Sequence, residues 1–145
     1  MNKTTASKIQ RIGTLIEEHV CKEHGLTPNK RSSRAYYDAY NAEQIFEIKA
    51  ASKRNNRVTV QITNHKQLLE TDSSYIVVLY DLVNSDKELC LITDIKILDI
   101  IIVKSNVMND ILIKYGVGYN RDYKGRMKQY SRIRFDNIKE YIDMR

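Results

Sequence analysis

The sequence predicts an α/β domain, a mixed central sheet flanked by helices, on three observations. An N-terminal segment carries apolar residues at helical spacing, several short segments with strand character follow it, and one run, Ile76-Val77-Val78-Leu79, is apolar without alternation. Helical spacing lays one face of a helix on a core, whereas an unbroken apolar strand is one buried on both faces. The 145 residues are the length of one domain, and 42% hydrophobic with 29% charged residues is ordinary globular usage.

Ser7 can cap a helix over 7–24, which Gly25 ends in a left-handed turn. Ile9, Ile12, Ile16 and Val20 form its apolar stripe; on the same wheel Glu18 faces solvent and Glu17 lies on the stripe's flank, half-turned inward. After a loop over 25–29, segments 34–40 and 45–51 read as strands joined by the short turn Asn41-Ala42-Glu43-Gln44. Asn56 and its basic neighbours make the next turn. Segment 57–63 then alternates with period two, extending the hairpin to a three-stranded meander.

Asn64 can cap a short helix over 64–70, and 75–82 supplies the further, doubly buried strand. Beyond it we expect a strand over 88–97, a helix over 103–115, a glycine- and tyrosine-containing loop over 116–125, a strand over 130–135 and a helical tail over 137–144. No repeat, low-complexity tract or linker divides the chain, so 1–145 reads as a single domain.

The longest apolar run, residues 100–103, is far short of the roughly 20 residues that span a bilayer. The N-terminus lacks the basic-then-apolar order of a signal peptide, and the expected location is the cytoplasm, without membrane partners. Cys21 and Cys90 lie in apolar segments with no C-x-x-C spacing and read as buried, reduced thiols. The net charge of +6 favours an anionic partner. Basic residues gather at 30–34, including Arg34; at Lys53, Arg54 and Arg57; and at Arg121, Lys124, Arg126, Lys128, Arg132 and Arg134. These are candidate phosphate contacts, and Tyr119, Tyr123 and Tyr130 interleave with the last group.

Glu47 and Lys49 stand two apart on one strand and so leave the same sheet face, with Phe46, Ile48 and Ala50 on the other. If 41–44 is a four-residue hairpin loop, Tyr40 pairs with Ile45 and Asp38 falls opposite Glu47. Opposed carboxylates repel by up to roughly 1 kcal/mol, so a sheet has no folding reason to align them. A divalent cation supplies one, since magnesium takes one or two carboxylates and keeps open positions for water or phosphate oxygens. Phosphodiester hydrolysis needs an activated water and neutralised phosphorus oxygens, which a metal held this way beside an ammonium can provide. Lys49 could hold that water and the scissile phosphate, or transfer a proton if desolvated.

Asp38, then Glu47-Ile48-Lys49 within Ile45-Phe46-Glu47-Ile48-Lys49-Ala50-Ala51, resembles the D…(D/E)-x-K signature of the restriction-endonuclease-like (PD-(D/E)xK) nuclease superfamily. The order helix, three-stranded meander, helix, strand is similar to that superfamily's core; Tyr37 stands where some members carry a proline. The resemblance covers about 8–82 and implies a magnesium-dependent nuclease, manganese able to substitute, acting on duplex or branched DNA. It implies metal ligation by Asp38 and Glu47, a water-positioning role for Lys49, and a first-helix acid at Glu17. Gly13-x-x-x-Glu17 is also similar to the opening of archaeal Holliday-junction resolvases, which implies a homodimer; a restriction or repair type would use residues 83–145 for substrate or a partner subunit.

Gln61, on the third meander strand, could line the same pocket. His65 opens the next helix, where a capping or solvated histidine is the simpler reading. The alternative from another class is a non-catalytic nucleic-acid-binding protein using the basic, tyrosine-containing C-terminal segment. A metabolic enzyme is disfavoured, because no phosphate-cradling glycine loop, dinucleotide fingerprint, zinc spacing or G-x-S-x-G elbow is present.

Overall fold

The computed structural model describes residues 3–30, 36–83 and 91–145. The chain opens with α1 (Lys3–His24), followed by β1 (Thr27–Pro28), β2 (Ala39–Tyr40), β3 (Ile45–Ser52), β4 (Arg57–Gln61), α2 (Ile62–Leu69) and β5 (Ser73–Leu82). A short 3-10 turn, Ile92–Asp94, leads into β6 (Ile95–Lys104), α3 (Ser105–Tyr115), β7 (Val117–Tyr123), β8 (Arg126–Arg134) and α4 (Phe135–Asp143). Five strands form one sheet in the order β1-β2-β3-β5-β6, and three form a second, β4-β8-β7. In the first sheet β3 and β5 are parallel and the other pairs antiparallel, so the expected α/β mixed sheet is present.

The first helix begins four residues before Ser7 and ends as expected, with Gly25 at φ +64°. Its buried stripe is Ile12, Leu15, Ile16 and Val20; Ile9 is 54% exposed and takes no part. This stripe packs on Phe46, Ile48, Ile76 and Val78, one face of the first sheet. The other face presents Ala51, Tyr75 and Val77 to Leu68 of α2, Met108 and Ile111 of α3 and Phe135 and Ile138 of α4. Residues 74–78 of β5 are accordingly buried without alternation, as their unbroken apolar run requires.

The meander is corrected. β4 leaves the sheet of β3 and pairs antiparallel with β8, from Arg57↔Arg134 to Gln61↔Tyr130. The edge of β3 that β4 would occupy is taken by β5, whose two apolar faces exclude it from a sheet edge and whose approach through α2 makes the pairing parallel. The expected loop over 116–125 is also corrected: β7 pairs with β8 through a two-residue turn, Lys124 and Gly125, both at positive φ. The strand expected over 88–97 instead runs over 95–104, its residues 88–90 lying outside the described ones, and it absorbs the 100–103 apolar run. Val58, Val60 and Ile133, on the inner face of the second sheet, join the core of the α2, α3 and α4 side.

Candidate active site

The hairpin register is the one expected from its loop. Tyr40 pairs with Ile45 and Ala39 with Phe46, and the 41–44 turn is closed by Asn41 N–H donating to Gln44 C=O at 3.0 Å and by the Asn41 side-chain oxygen accepting from Glu43 and Gln44 N–H. One residue earlier, Asp38 N–H donates to Phe46 C=O at 2.9 Å, while Asp38 Oδ2 accepts Ile48 N–H at 2.8 Å. A side-chain carboxylate thus takes a donor of β3 that a backbone carbonyl takes in a continuing strand. That substitution ends the ladder and leaves β2 two residues long. The sheet forks here, with Asp38 on one prong and Glu47 on the other.

Glu47 is 7% exposed and its carboxyl neighbours that of Asp38. Burial pushes the Glu47 pKa up, the neighbouring Asp38 carboxyl adds to it, and Lys49 opposes both. Lys49 is half-buried on the same face, as its spacing from Glu47 requires. Glu17 reaches this group from α1: its pKa is raised to about 7 by burial first and by Asp38 second, with Lys49 lowering it, while Glu18 is exposed. A cleft of about 550 Å³ beside the fork is lined by Glu17, Cys21, Asn29, Lys30 and Asp38 among others. Cys21 is a buried thiol with its pKa raised by burial, then by Glu17 and Asp38; Cys90 lies outside the described residues.

Beneath Glu47 is a polar network that sequence reasoning missed. Tyr75 is the register partner of Glu47 on β5, and its hydroxyl bonds His65 Nδ1 at 2.7 Å; His65 Nε2 bonds Asn109 Oδ1 at 3.0 Å. The amide oxygen only accepts, so Nε2 carries the proton and Nδ1 accepts from the Tyr75 hydroxyl. Burial lowers the His65 pKa, which keeps the ring in that neutral form. His65 is 3% exposed and neither caps α2 nor meets solvent, correcting the simpler reading of it. Tyr75 is held protonated by burial, with Glu47 adding to the effect.

Gln61 ends β4 on the second sheet, paired with Tyr130 at the N-cap of α2. It is therefore no strand neighbour of Lys49, as the meander had required. Among the basic residues, Arg57, Arg121, Arg126 and Lys128 occupy the second sheet and Lys124 its hairpin turn, while Lys53 and Arg54 are exposed in the turn after β3. Arg34 and the side chain of Tyr123 lie outside the described residues.

A divalent cation fits the chemistry of the fork. Asp38 and Glu47 offer hard oxygen donors, and a cation between them would offset the charge that burial makes costly at Glu47. Among the described residues no group of three or more His, Cys, Asp or Glu side chains has metal-holding spacing.

A mixed sheet forked at Asp38, with a buried acid and a lysine two residues apart on the next strand, defines a nuclease core. The family model of the PD-(D/E)XK nuclease superfamily domain matches residues 1–140, and the chain belongs to that superfamily. No curated protein matches the sequence. No helix among the described residues is long and apolar enough to cross a membrane.

Proposed function

We propose that this nuclease is an endonuclease that hydrolyses DNA phosphodiester bonds with a divalent cation, magnesium by preference and manganese in its place. The observation that carries the proposal is the Asp38–Glu47 carboxyl pair across the fork, with Lys49 on the same sheet face. Asp38 and Glu47 are the residues to hold the cation, which when bound neutralises charge on the phosphorus oxygens and acidifies water. The Ile48 N–H fixes one oxygen of Asp38, so that carboxylate is oriented before any ligand arrives. Tyr75, held by His65, walls the side of Glu47 and excludes water from it. Lys49 donates hydrogen bonds to the attacking water and to a scissile phosphate oxygen, compensating charge as it builds. Glu17, which changes protonation near neutral pH, can take or return a proton at the cleft side of the fork.

Two subclasses fit this chemistry. A junction-resolving enzyme acts as a homodimer with two symmetric forks, whereas a restriction or repair enzyme reads its substrate through residues 83–145. Wild type and Lys49→Ala, incubated with plasmid, linear, single-stranded and four-way-junction DNA in magnesium, manganese or chelator, separate them by the pattern of cuts; light scattering reports the dimer. Cleavage with either metal that disappears in Lys49→Ala supports the proposal. If wild type binds DNA with steep salt dependence yet leaves every substrate intact, the non-catalytic binding reading, favoured by the basic second sheet, replaces it.

A further inference from the structure

We propose that the outer face of the second sheet is a platform for single-stranded nucleic acid, so that the preferred substrate carries an unpaired segment. This rests on the nuclease reading only for its place in the reaction; the surface itself is independent of the fork.

Residues directly opposed in an antiparallel pair share a face. The registers of β4, β8 and β7 therefore gather Arg57, Arg134, Arg132, Lys128, Arg126 and Arg121 on one side, with Val58, Val60 and Ile133 buried on the other. No strand position on the outer side carries an acid, Asp122 belonging to the opposite face. Arg57 stands directly opposite Arg134, and Arg121 directly opposite Lys128. Like charges so opposed disfavour a sheet; Asp136, just past the strand, pairs with Arg134 at 3.6 Å and offsets part of that at one end. A polyanion laid across the face removes the penalty. Cations two residues apart on a strand are about 6.8 Å apart, close to the step between successive phosphates of an extended strand.

Charge alone would serve a duplex equally well; the aromatic residues decide between them. Tyr119 and Tyr130 stack at 5.4 Å between centroids and 20° between planes, and the Arg132 guanidinium sits 4.1 Å over the Tyr119 ring. Both tyrosines are half-buried amid the cations. Tyr130 and Arg132 cover the two faces of Tyr119, so a base resting on the sheet would extend the stack from the remaining face of Tyr130. A base in a duplex has both faces covered by its neighbours and cannot join. An unpaired base can, and stacking on any base is tolerated because each has a π-face.

The test is fluorescence anisotropy in chelator, which prevents turnover, with a labelled oligothymidylate of about 20 nucleotides and a duplex of equal length. The wild-type protein is expected to bind the single strand at least about tenfold tighter than the duplex. Tyr130→Ala should weaken single-strand binding roughly tenfold, and Tyr130→Phe should restore it to within about twofold. Arg121→Glu should lower the salt slope by about one or more phosphate contacts. Met127→Ser, on the opposite face of β8, is expected to leave the affinity within about twofold. Should Tyr130→Ala fail to fold by circular dichroism, Arg132→Gln, at an exposed position, takes its place with the same expected loss. Duplex binding as tight as single-strand binding overturns the proposal, as does an unchanged affinity in Tyr130→Ala or an equal loss in Met127→Ser. Cleavage without single-strand preference defeats the platform and leaves the nuclease reading standing, whereas single-strand binding without cleavage in either metal does the reverse.

Discussion

The fork of the first sheet and the outer face of the second gather charge of opposite sign in opposite ways. At the fork, three acids meet around one lysine, and burial makes their charge costly; the carboxyls respond by holding protons, Glu47 above its usual range and Glu17 near 7. On the second sheet six cations spread over a solvated strand face, where water and salt screen them. Each arrangement stores repulsion that the fold alone does not require. On the proposed reading, a small, hard cation relieves the first, and a long, flexible polyanion relieves the second.

Separating the two regions by mutation gives the largest effect. Asp38→Asn removes the charge of a proposed metal ligand at the fork, and cleavage should fall at least about 100-fold while single-strand affinity in chelator changes by less than about threefold. A quench-flow time course beside a binding titration checks both. A matching loss of binding would erase the division between chemistry and grip.

The second test uses pH. An acid whose folded-state pKa is raised favours the folded state below its unfolded pKa, and that advantage is lost as pH rises through the folded value. For Glu17 this window runs from 4.5 to about 7, and for Glu47 it extends above that. In chelator, the melting temperature should therefore drop by about 5 °C or more between pH 5.5 and 8.5. Glu47→Gln should shrink the drop and leave mainly the part below about pH 7 that belongs to Glu17, and magnesium at pH 8.5 should recover most of the loss in wild type alone. A flat wild-type profile contradicts the raised pKa values of Glu17 and Glu47.

Smaller effects sharpen the comparison from its supports. His65→Leu strips the Tyr75 hydroxyl of its acceptor and should cost about 1–3 kcal/mol in urea unfolding, with cleavage falling more than oligothymidylate binding. Gly125→Ala places a side chain at φ +75° in the β7–β8 turn and should cost about 1 kcal/mol. Its effect should appear in binding before it appears in cleavage.

What was legible in the sequence was local. The β2–β3 hairpin followed from a four-residue loop and strand parity, which give the Tyr40–Ile45 and Ala39–Phe46 pairs; the ladder ends there, and Asp38 meets β3 through its side chain at Ile48 N–H. Glu17 followed from the pitch of one helix. The partner of β4 did not, because its period-two pattern specifies a half-buried strand and is silent on which edge it joins; that choice depended on β5 and β8, far along the chain. β7 was hidden because it lacks an apolar face and turns through Lys124-Gly125, without the asparagine or aspartate that marks such turns. His65 was misread because its partners lie 10 and 44 residues away. The basic face was visible only as a cluster in sequence until the β4–β8–β7 register sorted it from Asp122 and Ile133.

The most direct measurement of the central claim is single-turnover cleavage of a labelled duplex with a single-stranded tail, with enzyme in excess, comparing wild type and Glu47→Gln in magnesium. Wild type should convert the substrate to shorter products, chelator should stop it, and Glu47→Gln should leave the DNA uncut over the same time course. Cleavage by Glu47→Gln at the wild-type rate, or an inert wild type in both magnesium and manganese, would contradict a hydrolytic site at the fork of Asp38, Glu47 and Lys49.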